Sequence, residues 1–159
     1  MASFGRASKR RYKTLHYKLQ MIMDEAIQIF DFTIVCGFRN EQDQEKAFDN
    51  NKSEKHWPNS KHNRLPSTAV DVAPWDQSMR RGRGDIDWNN RDRFILLAGI
   101  IKGIAHKLGI AIRWGGDFNN DTFMRDQKFH DMPHIELVNP DKDPRVVEKK
   151  WNKFAHFFV

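Results

Sequence analysis

Apolar residues recur at helical spacing in two long segments of the chain. Residues 15–30 place them on one face, and Thr14 is the expected N-cap of that helix. Residues 91–108 show the clearest helical pattern, preceded by two asparagines that can act as caps and followed by Gly109 as a stop. Residues 41–48 are also helix-prone. Three helices are therefore predicted in the first two thirds of the chain.

Short runs rich in β-branched and apolar residues predict four strands, at residues 32–36, 69–73, 110–114 and 134–138. The basic residues before position 14 are expected to be a loose lead-in. After the fourth strand, Asp143-Pro144 is expected to open a last helix, because a capping residue followed by proline favours a helix start. That helix would carry Val147, Trp151 and Phe154. The order of elements predicts a single α+β domain over residues 1–159, with a small antiparallel sheet and flanking helices.

The charge balance points to anionic surroundings without naming them. Lys and Arg total 27 against 21 Asp and Glu, which gives a net charge of +6. Nucleic acid, an acidic membrane surface and an acidic cell wall all fit this excess, and so does a simple need for solubility. The basic stretch 80–83 permits a nucleic-acid-binding module. Most aromatic residues fall in apolar segments, however, and no basic stripe is expected along a helix, so no nucleic-acid partner is predicted.

Cysteine content and hydropathy limit where the chain can work. Cys36 is the one cysteine, so no internal disulfide forms, and its place in the apolar run 32–36 predicts a buried structural thiol. No apolar signal segment follows the basic N-terminus, and the longest apolar stretch, residues 94–101, is far shorter than a membrane span. We expect synthesis in the cytoplasm without a signal and no stable membrane insertion.

At three places, polar residues that can bind metals lie in or beside otherwise apolar strands. His62 follows a serine and a lysine, and Asp71 sits at the centre of a predicted buried strand. An unpaired buried carboxylate is costly, so Asp71 should have a cation or strong donors beside it. In the segment Asp131-Met132-Pro133-His134-Ile135-Glu136, the proline argues against a helix, and an extended chain turns His134 and Glu136 to one side.

Two imidazoles and a carboxylate suit zinc, and three protein ligands leave a fourth position for water, as catalytic sites do. The metal acidifies that water, and a nearby carboxylate must take its proton, a role for which Asp131 is suitably placed. Each residue also has a simpler interpretation. A single histidine on a strand is seldom a ligand, and Asp71 could form a salt bridge with a local arginine. Spacing by itself leaves the zinc site open.

The motifs as a set strongly resemble those of the zinc peptidases that include D-alanyl-D-alanine carboxypeptidases and share a fold with the hedgehog signalling domain. Among them, the sequence is most similar to the L-alanyl-D-glutamate peptidase endolysins of tailed bacteriophages. The similarity covers roughly residues 15 to 138. It is carried by Ser60-x-His62, Ala69-x-Asp71, Asp131-x-x-His134-x-Glu136, Gly37-Phe38-Arg39, the stretch 85–89 and the stretch 114–119.

The resemblance implies roles for individual residues. Zinc would be bound by His62, Asp71 and His134, and Asp131 would be the general base. Arg39 would steady the substrate or its oxyanion, as suits a guanidinium near developing negative charge. Further polar contacts would come from Ser60 in the cleft and from Glu136, which either orients a ligand or forms a structural ion pair.

Two features depart from known patterns. Eight residues separate His62 from Asp71, with Pro66 and no glycine among them, whereas the family has a shorter connection with a glycine. This difference bears on the rim of the cleft rather than on the ligands. The start of a calcium loop, Asp117-x-Asn119-x-Asp121, lacks the glycine that such a loop needs at its sixth position.

The resemblance implies a phage enzyme that cuts the L-Ala–D-Glu bond of the peptidoglycan stem peptide and lyses the host. Its substrate would be bacterial peptidoglycan, and it would act as a monomer that needs a holin for export. It would stay in the host cytoplasm until lysis and then reach the periplasm and cell wall. Three alternatives remain at this point: a D,D-carboxypeptidase that removes terminal D-Ala, a zinc-bearing fold without catalysis, and the nucleic-acid-binding module.

Overall fold

Four short strands form one antiparallel sheet in the order β1-β2-β4-β3. The computed structural model describes residues 2–124 and 130–145. The strands are β1 (Phe32–Cys36), β2 (Ala69–Pro74), β3 (Ile112–Trp114) and β4 (His134–Leu137). The four predicted strands are therefore present, although β3 begins two residues later than expected.

Helices cover the sheet and close the core. They are α1 (Arg6–Tyr12), α2 (Tyr17–Ile29), α3 (Glu41–Asp49), the four-residue turn α4 (Met79–Gly82) and α5 (Arg91–Lys107). The apolar faces of α2 and α5 pack together, as their periodicity predicts, and α5 also packs against β2 and β3. Residues of both helices and of the sheet form one apolar core. The largest fully buried apolar side chains of this core are Leu15, Leu19, Ile22, Met23, Ile34, Val70, Leu97, Ile101, Ile135 and Leu137. The predicted α+β class, with a small antiparallel sheet and flanking helices, is confirmed.

The start of the chain differs from the prediction. Residues 6–12 form α1, which packs on β1 through a hydrogen bond of 2.8 Å between the hydroxyls of Ser8 and Thr33. The helix α2 begins at Tyr17 with His16 as its cap, because the Thr14 hydroxyl is used elsewhere. That hydroxyl donates to the carbonyl of Arg11 and accepts from the amide of Phe38. Tertiary contacts therefore override the local capping preference.

The helix α1 also carries a basic face, contrary to the expectation that no helix would. Four exposed cationic side chains line a shallow depression there: Arg6, Lys9 and Arg10 of α1, and Lys13 directly after the helix.

The predicted boundaries of α5, residues 91 and 108, are close to the observed helix Arg91–Lys107. The Asn90 side chain accepts a hydrogen bond from the amide of Arg93, and Gly109 ends the helix with a φ of +67°. The predicted C-terminal helix was expected to open at Asp143-Pro144, and its part from residue 146 onward, with Val147, lies outside the described residues. Among residues 2–124 and 130–145, no helix has both the length and the apolar character needed to cross a bilayer.

Candidate metal centre

The sheet brings Asp71 and His134 together by strand register. Asp71 lies in β2 directly opposite His134 in β4, so the two side chains are cross-strand neighbours. On the other side of β2, the pairing with β1 shifts between Ile34 and Cys36, and this irregularity sets Cys36 opposite Asp71. Such bulges re-aim side chains at the end of a strand. The site therefore forms where the three strands β1, β2 and β4 meet.

A short 3₁₀ turn at Lys61–Asn63 delivers His62 to the same place. Ser60 caps this turn: its hydroxyl accepts from the amide of His62 at 3.3 Å, and its own amide donates to the Asn63 side chain at 3.0 Å. The carbonyl of His62 accepts from the amide of Arg39 at 2.9 Å. Ser60 is thus mostly buried beneath His62, where it fixes the turn, and its contact with substrate stays a prediction.

Three ligand-type atoms face one another in this site. Nε2 of His62 lies 3.2 Å from Oδ1 of Asp71 and 3.3 Å from Nδ1 of His134, and the third side of the triangle measures 3.1 Å. A tetrahedral zinc ion with bonds of 2.0–2.1 Å to nitrogen and oxygen would space its ligand atoms by about 3.3–3.4 Å. The triangle therefore fits three corners of such a tetrahedron.

The outer nitrogen of each imidazole is held by a second group. Nδ1 of His62 donates to the carbonyl of Gly37 at 2.7 Å, and Nε2 of His134 lies 3.2 Å from a carboxylate oxygen of Glu136. A partner on one ring nitrogen leaves the other free to bind a metal and fixes the orientation of the ring. Glu136 also pairs with Arg113 at 3.1 Å, so it makes the contacts required by both roles considered for this glutamate.

The ionisation of the cluster is strongly perturbed. Burial alone would lower the pKa of both His62 and His134. The Asp71 carboxylate outweighs this effect and raises the pKa of His62 to about 10. Asp71 and Glu136 together raise the pKa of His134 to about 8. Burial alone would raise the pKa of Asp71, yet the two imidazoles hold it well below its usual range. A metal ion that binds here has to displace protons from the imidazoles.

Asp131 lies beside this triangle on the turn that precedes β4. A carboxylate oxygen of Asp131 lies within 4.8 Å of a carboxylate oxygen of Asp71 and of a ring nitrogen of His134. The turn is held by hydrogen bonds of 2.8 Å from the Asp131 amide to the Gly115 carbonyl and from Nε1 of Trp114 to the Met132 carbonyl. Burial and the nearby Asp71 carboxylate raise the pKa of Asp131. A half-buried carboxylate with a raised pKa is suited to accept a proton.

Arg39 and Cys36 complete the rim on the β1 side. Nη2 of Arg39 lies 3.5 Å from Oδ2 of Asp71 and 3.6 Å from the sulfur of Cys36, so Asp71 has the cationic neighbour expected of a buried carboxylate. Cys36 is partly buried and borders the site, rather than being the fully buried structural thiol that the apolar run predicts. Burial alone would raise its pKa, but contact with His62 lowers it. Local sequence patterns do not reveal these neighbours of Cys36, because they depend on the irregular pairing of β1 with β2.

The segment that resembles the start of a calcium loop already has a cation. The Asp117 carboxylate is buried and accepts from Nζ of Lys102 at 2.9 Å. It also accepts from the backbone amides of Asp121 and Thr122. These donors hold the loop after β3 in place.

Two imidazoles and a carboxylate around one point, with a second carboxylate beside them, define a candidate hydrolytic metal centre on an α+β fold. The chain belongs to the phage L-alanyl-D-glutamate peptidase family, because a sequence model of that family matches residues 1–138. It is 30% identical over 140 residues to the L-alanyl-D-glutamate peptidase of Escherichia phage T5, an alignment that covers 85% of this chain and 97% of the relative.

A solved structure supports the fold. The L-Ala D-Glu endopeptidase ChiX of Serratia marcescens superposes with a TM-score of 0.61, over 86% of this chain and 90% of the other. The two sequences are 23% identical. The suspected family and the fold class are both confirmed by these comparisons.

Proposed function

We propose that this protein is a phage endolysin that hydrolyses the L-Ala–D-Glu bond of peptidoglycan stem peptides with the help of zinc. The observation that carries the proposal is the triangle of His62, Asp71 and His134, with sides of 3.1–3.3 Å and with Asp131 beside it. The relatives named for this activity support the choice of bond. Family membership and site geometry thus agree on a hydrolytic enzyme.

His62, Asp71 and His134 would hold the metal, and zinc bound there would supply Lewis acidity to a water molecule and to the scissile carbonyl. Asp131 accepts a proton from the attacking water as the water oxygen adds to the carbonyl carbon. The same carboxyl group then passes this proton to the amino group of D-Glu as the C–N bond breaks. The raised pKa of Asp131 favours its holding the proton between these two steps.

Arg39 would stabilise the negative charge that develops on the carbonyl oxygen. Its side chain is 15% exposed and lies beside Asp71, so the guanidinium is within reach of a substrate in the cleft. A preorganised cation in a site that excludes water stabilises such a charge strongly. Ser60 would add a polar contact at the base of the cleft.

The rival within the same chemistry is a D,D-carboxypeptidase. Digestion of purified peptidoglycan, followed by mass spectrometry of the soluble products, separates the two activities. Our proposal predicts glycan strands whose stems end in L-Ala and released peptides that begin with D-Glu. Release of free D-Ala with intact L-Ala–D-Glu bonds would instead establish the carboxypeptidase.

The cellular setting follows from the same proposal. The enzyme would accumulate in the host cytoplasm as a single-domain monomer, pass the inner membrane through a holin pore, and reach the cell wall at lysis. A net charge of +6 would favour its adsorption to the anionic envelope. Size-exclusion chromatography tests the monomer, and lysis of cells with and without a co-expressed holin tests the route.

The basic face of α1 favours a second candidate, a nucleic-acid-binding module. Binding to a DNA fragment should then weaken steeply with salt and persist in His134→Ala. We favour the peptidase, because the histidine–aspartate cluster has no use in such a module.

A further inference from the structure

Gln44 is a polar side chain with no exposed surface, one turn into α3. Its carbonyl oxygen accepts from Nη1 of Arg39 at 3.3 Å and from the Asn63 amide at 3.1 Å. Its own amide donates to the hydroxyl of Ser53 at 2.8 Å and to the carbonyl of Lys55. Every hydrogen-bonding position of the Gln44 amide is therefore used.

Such an arrangement fixes the amide in one orientation. Burying an amide is costly unless its partners are all made, so a rotated Gln44 would leave donors and acceptors unpaired. In the observed orientation the carbonyl oxygen points at the guanidinium of Arg39. Among the described residues, the 3.3 Å hydrogen bond to Gln44 is the shortest one made by the Arg39 guanidinium, whose distances to Cys36 and Asp71 are 3.6 and 3.5 Å.

Asn63 ties the same network to the metal-binding turn. Its amide group donates to Gln44 and, at 2.9 Å, to the backbone carbonyl of Arg39. Asn63 directly follows His62 in the 3₁₀ turn. The buried side chain of Asn63 thus links the position of Arg39 to that of His62, one of the candidate zinc ligands.

We propose that Gln44 is a positioning residue that holds the Arg39 guanidinium at the mouth of the candidate metal centre. The inference rests on the proposed function only in giving Arg39 a role in hydrolysis. Gln44 itself has no exposed surface, so it acts through Arg39 and does not touch substrate. A long arginine side chain loses much rotamer freedom when it is fixed, and a preformed hydrogen bond removes that cost from the transition state.

A double-mutant cycle tests the coupling. The variants are Gln44→Met, which keeps the length of the side chain without its hydrogen bonds, Arg39→Gln, and the double variant. We expect Gln44→Met to lower kcat about tenfold with little change in KM, and to have no further effect once Arg39 is replaced. Ser53→Ala is the matched control: it removes one acceptor of the Gln44 amide group but leaves the Lys55 carbonyl and both contacts of the Gln44 carbonyl oxygen, so the orientation is kept and kcat should equal that of the parent.

Stability and zinc content are measured on every variant, because Gln44→Met also leaves buried groups unpaired. A merely structural role predicts that activity follows the folded fraction in Gln44→Met and Ser53→Ala alike. Multiplicative losses in the double variant would overturn the proposal.

A second readout does not depend on the reaction. The Nε–H group of Arg39 can be followed by ¹⁵N relaxation, and its order parameter should fall in Gln44→Met but not in Ser53→Ala. An unchanged order parameter would refute the positioning role, whichever bond the enzyme cuts. If the order parameter falls while peptidoglycan is not cleaved by the parent protein, the proposed function fails and the positioning role stands.

Discussion

A methyl group at position 115 should disable the enzyme by displacing the turn that carries Asp131. A Cβ atom built on Gly115 would lie 2.2 Å from the carbonyl oxygen of Asp131 and 2.9 Å from its Cβ. An ordinary carbon–oxygen contact is about 3.3 Å, so Gly115→Ala must move the Asp131 turn by about 1 Å. A displacement of this size in a catalytic group can cost about 100-fold in rate. We therefore expect kcat/KM to fall by about 100-fold.

The assay is release of soluble peptides from purified peptidoglycan, with the free energy of unfolding measured in urea on the same samples. The control is Gly99→Ala, because an added Cβ there meets no atom within 4 Å and lies on the exposed side of α5. It should keep full activity and gain up to about 1 kcal/mol in stability from better helix propensity. Wild-type activity in Gly115→Ala would refute the claim that the position of Asp131 governs the rate.

Other changes separate the roles of the site and of the fold. Asp131→Ala should keep bound zinc, measured by elemental analysis, and lose about 10²–10⁴ in rate, whereas His134→Ala should lose metal affinity as well. Glu136→Gln should weaken zinc binding by about 10–100-fold in a competition titration, because the His134 ring loses its anionic partner. Hydrogen bonds from Arg145 hold the pKa of the buried Asp143 well below its usual range, so its stabilisation is complete above about pH 4 and is lost as the pH falls. The urea midpoint should therefore change less between pH 6 and pH 3 in Asp143→Asn than in the parent. An equal change in both proteins would show that Asp143 does not cause the loss of stability in acid.

Two of the candidate ligands, Asp71 and His134, were predictable because they lie in otherwise apolar strands, whereas His62 lies in a polar segment and was assigned only through the resemblance. A carboxylate at the centre of a buried strand, as at Asp71, needs a partner, and the proline in 131–136 excludes a helix. Strand alternation then placed Glu136 on the side of His134, where it is found. Their assembly into one site came from the resemblance, since strand register, which sets Asp71 opposite His134, is not visible in local sequence.

The supporting residues were beyond local patterns. Gln44 lies in a polar, helix-prone segment that looks solvent-facing, and it is buried because residues 53–55 fold over it. Cys36 reaches the site through a strand irregularity that the apolar run does not reveal. The helix α1 has only seven residues, too few to show periodicity, and it is held by contacts with β1. In each case the deciding interaction joins segments far apart in the chain.

The central claim is that zinc bound by His62, Asp71 and His134 enables cleavage of the L-Ala–D-Glu bond. Mass spectrometry of peptidoglycan digested by zinc-loaded, chelated and zinc-restored protein tests it most directly. We predict peptides that begin with D-Glu from the loaded and restored samples and none from the chelated one. Equal release of these peptides by protein shown to be free of metal would contradict it.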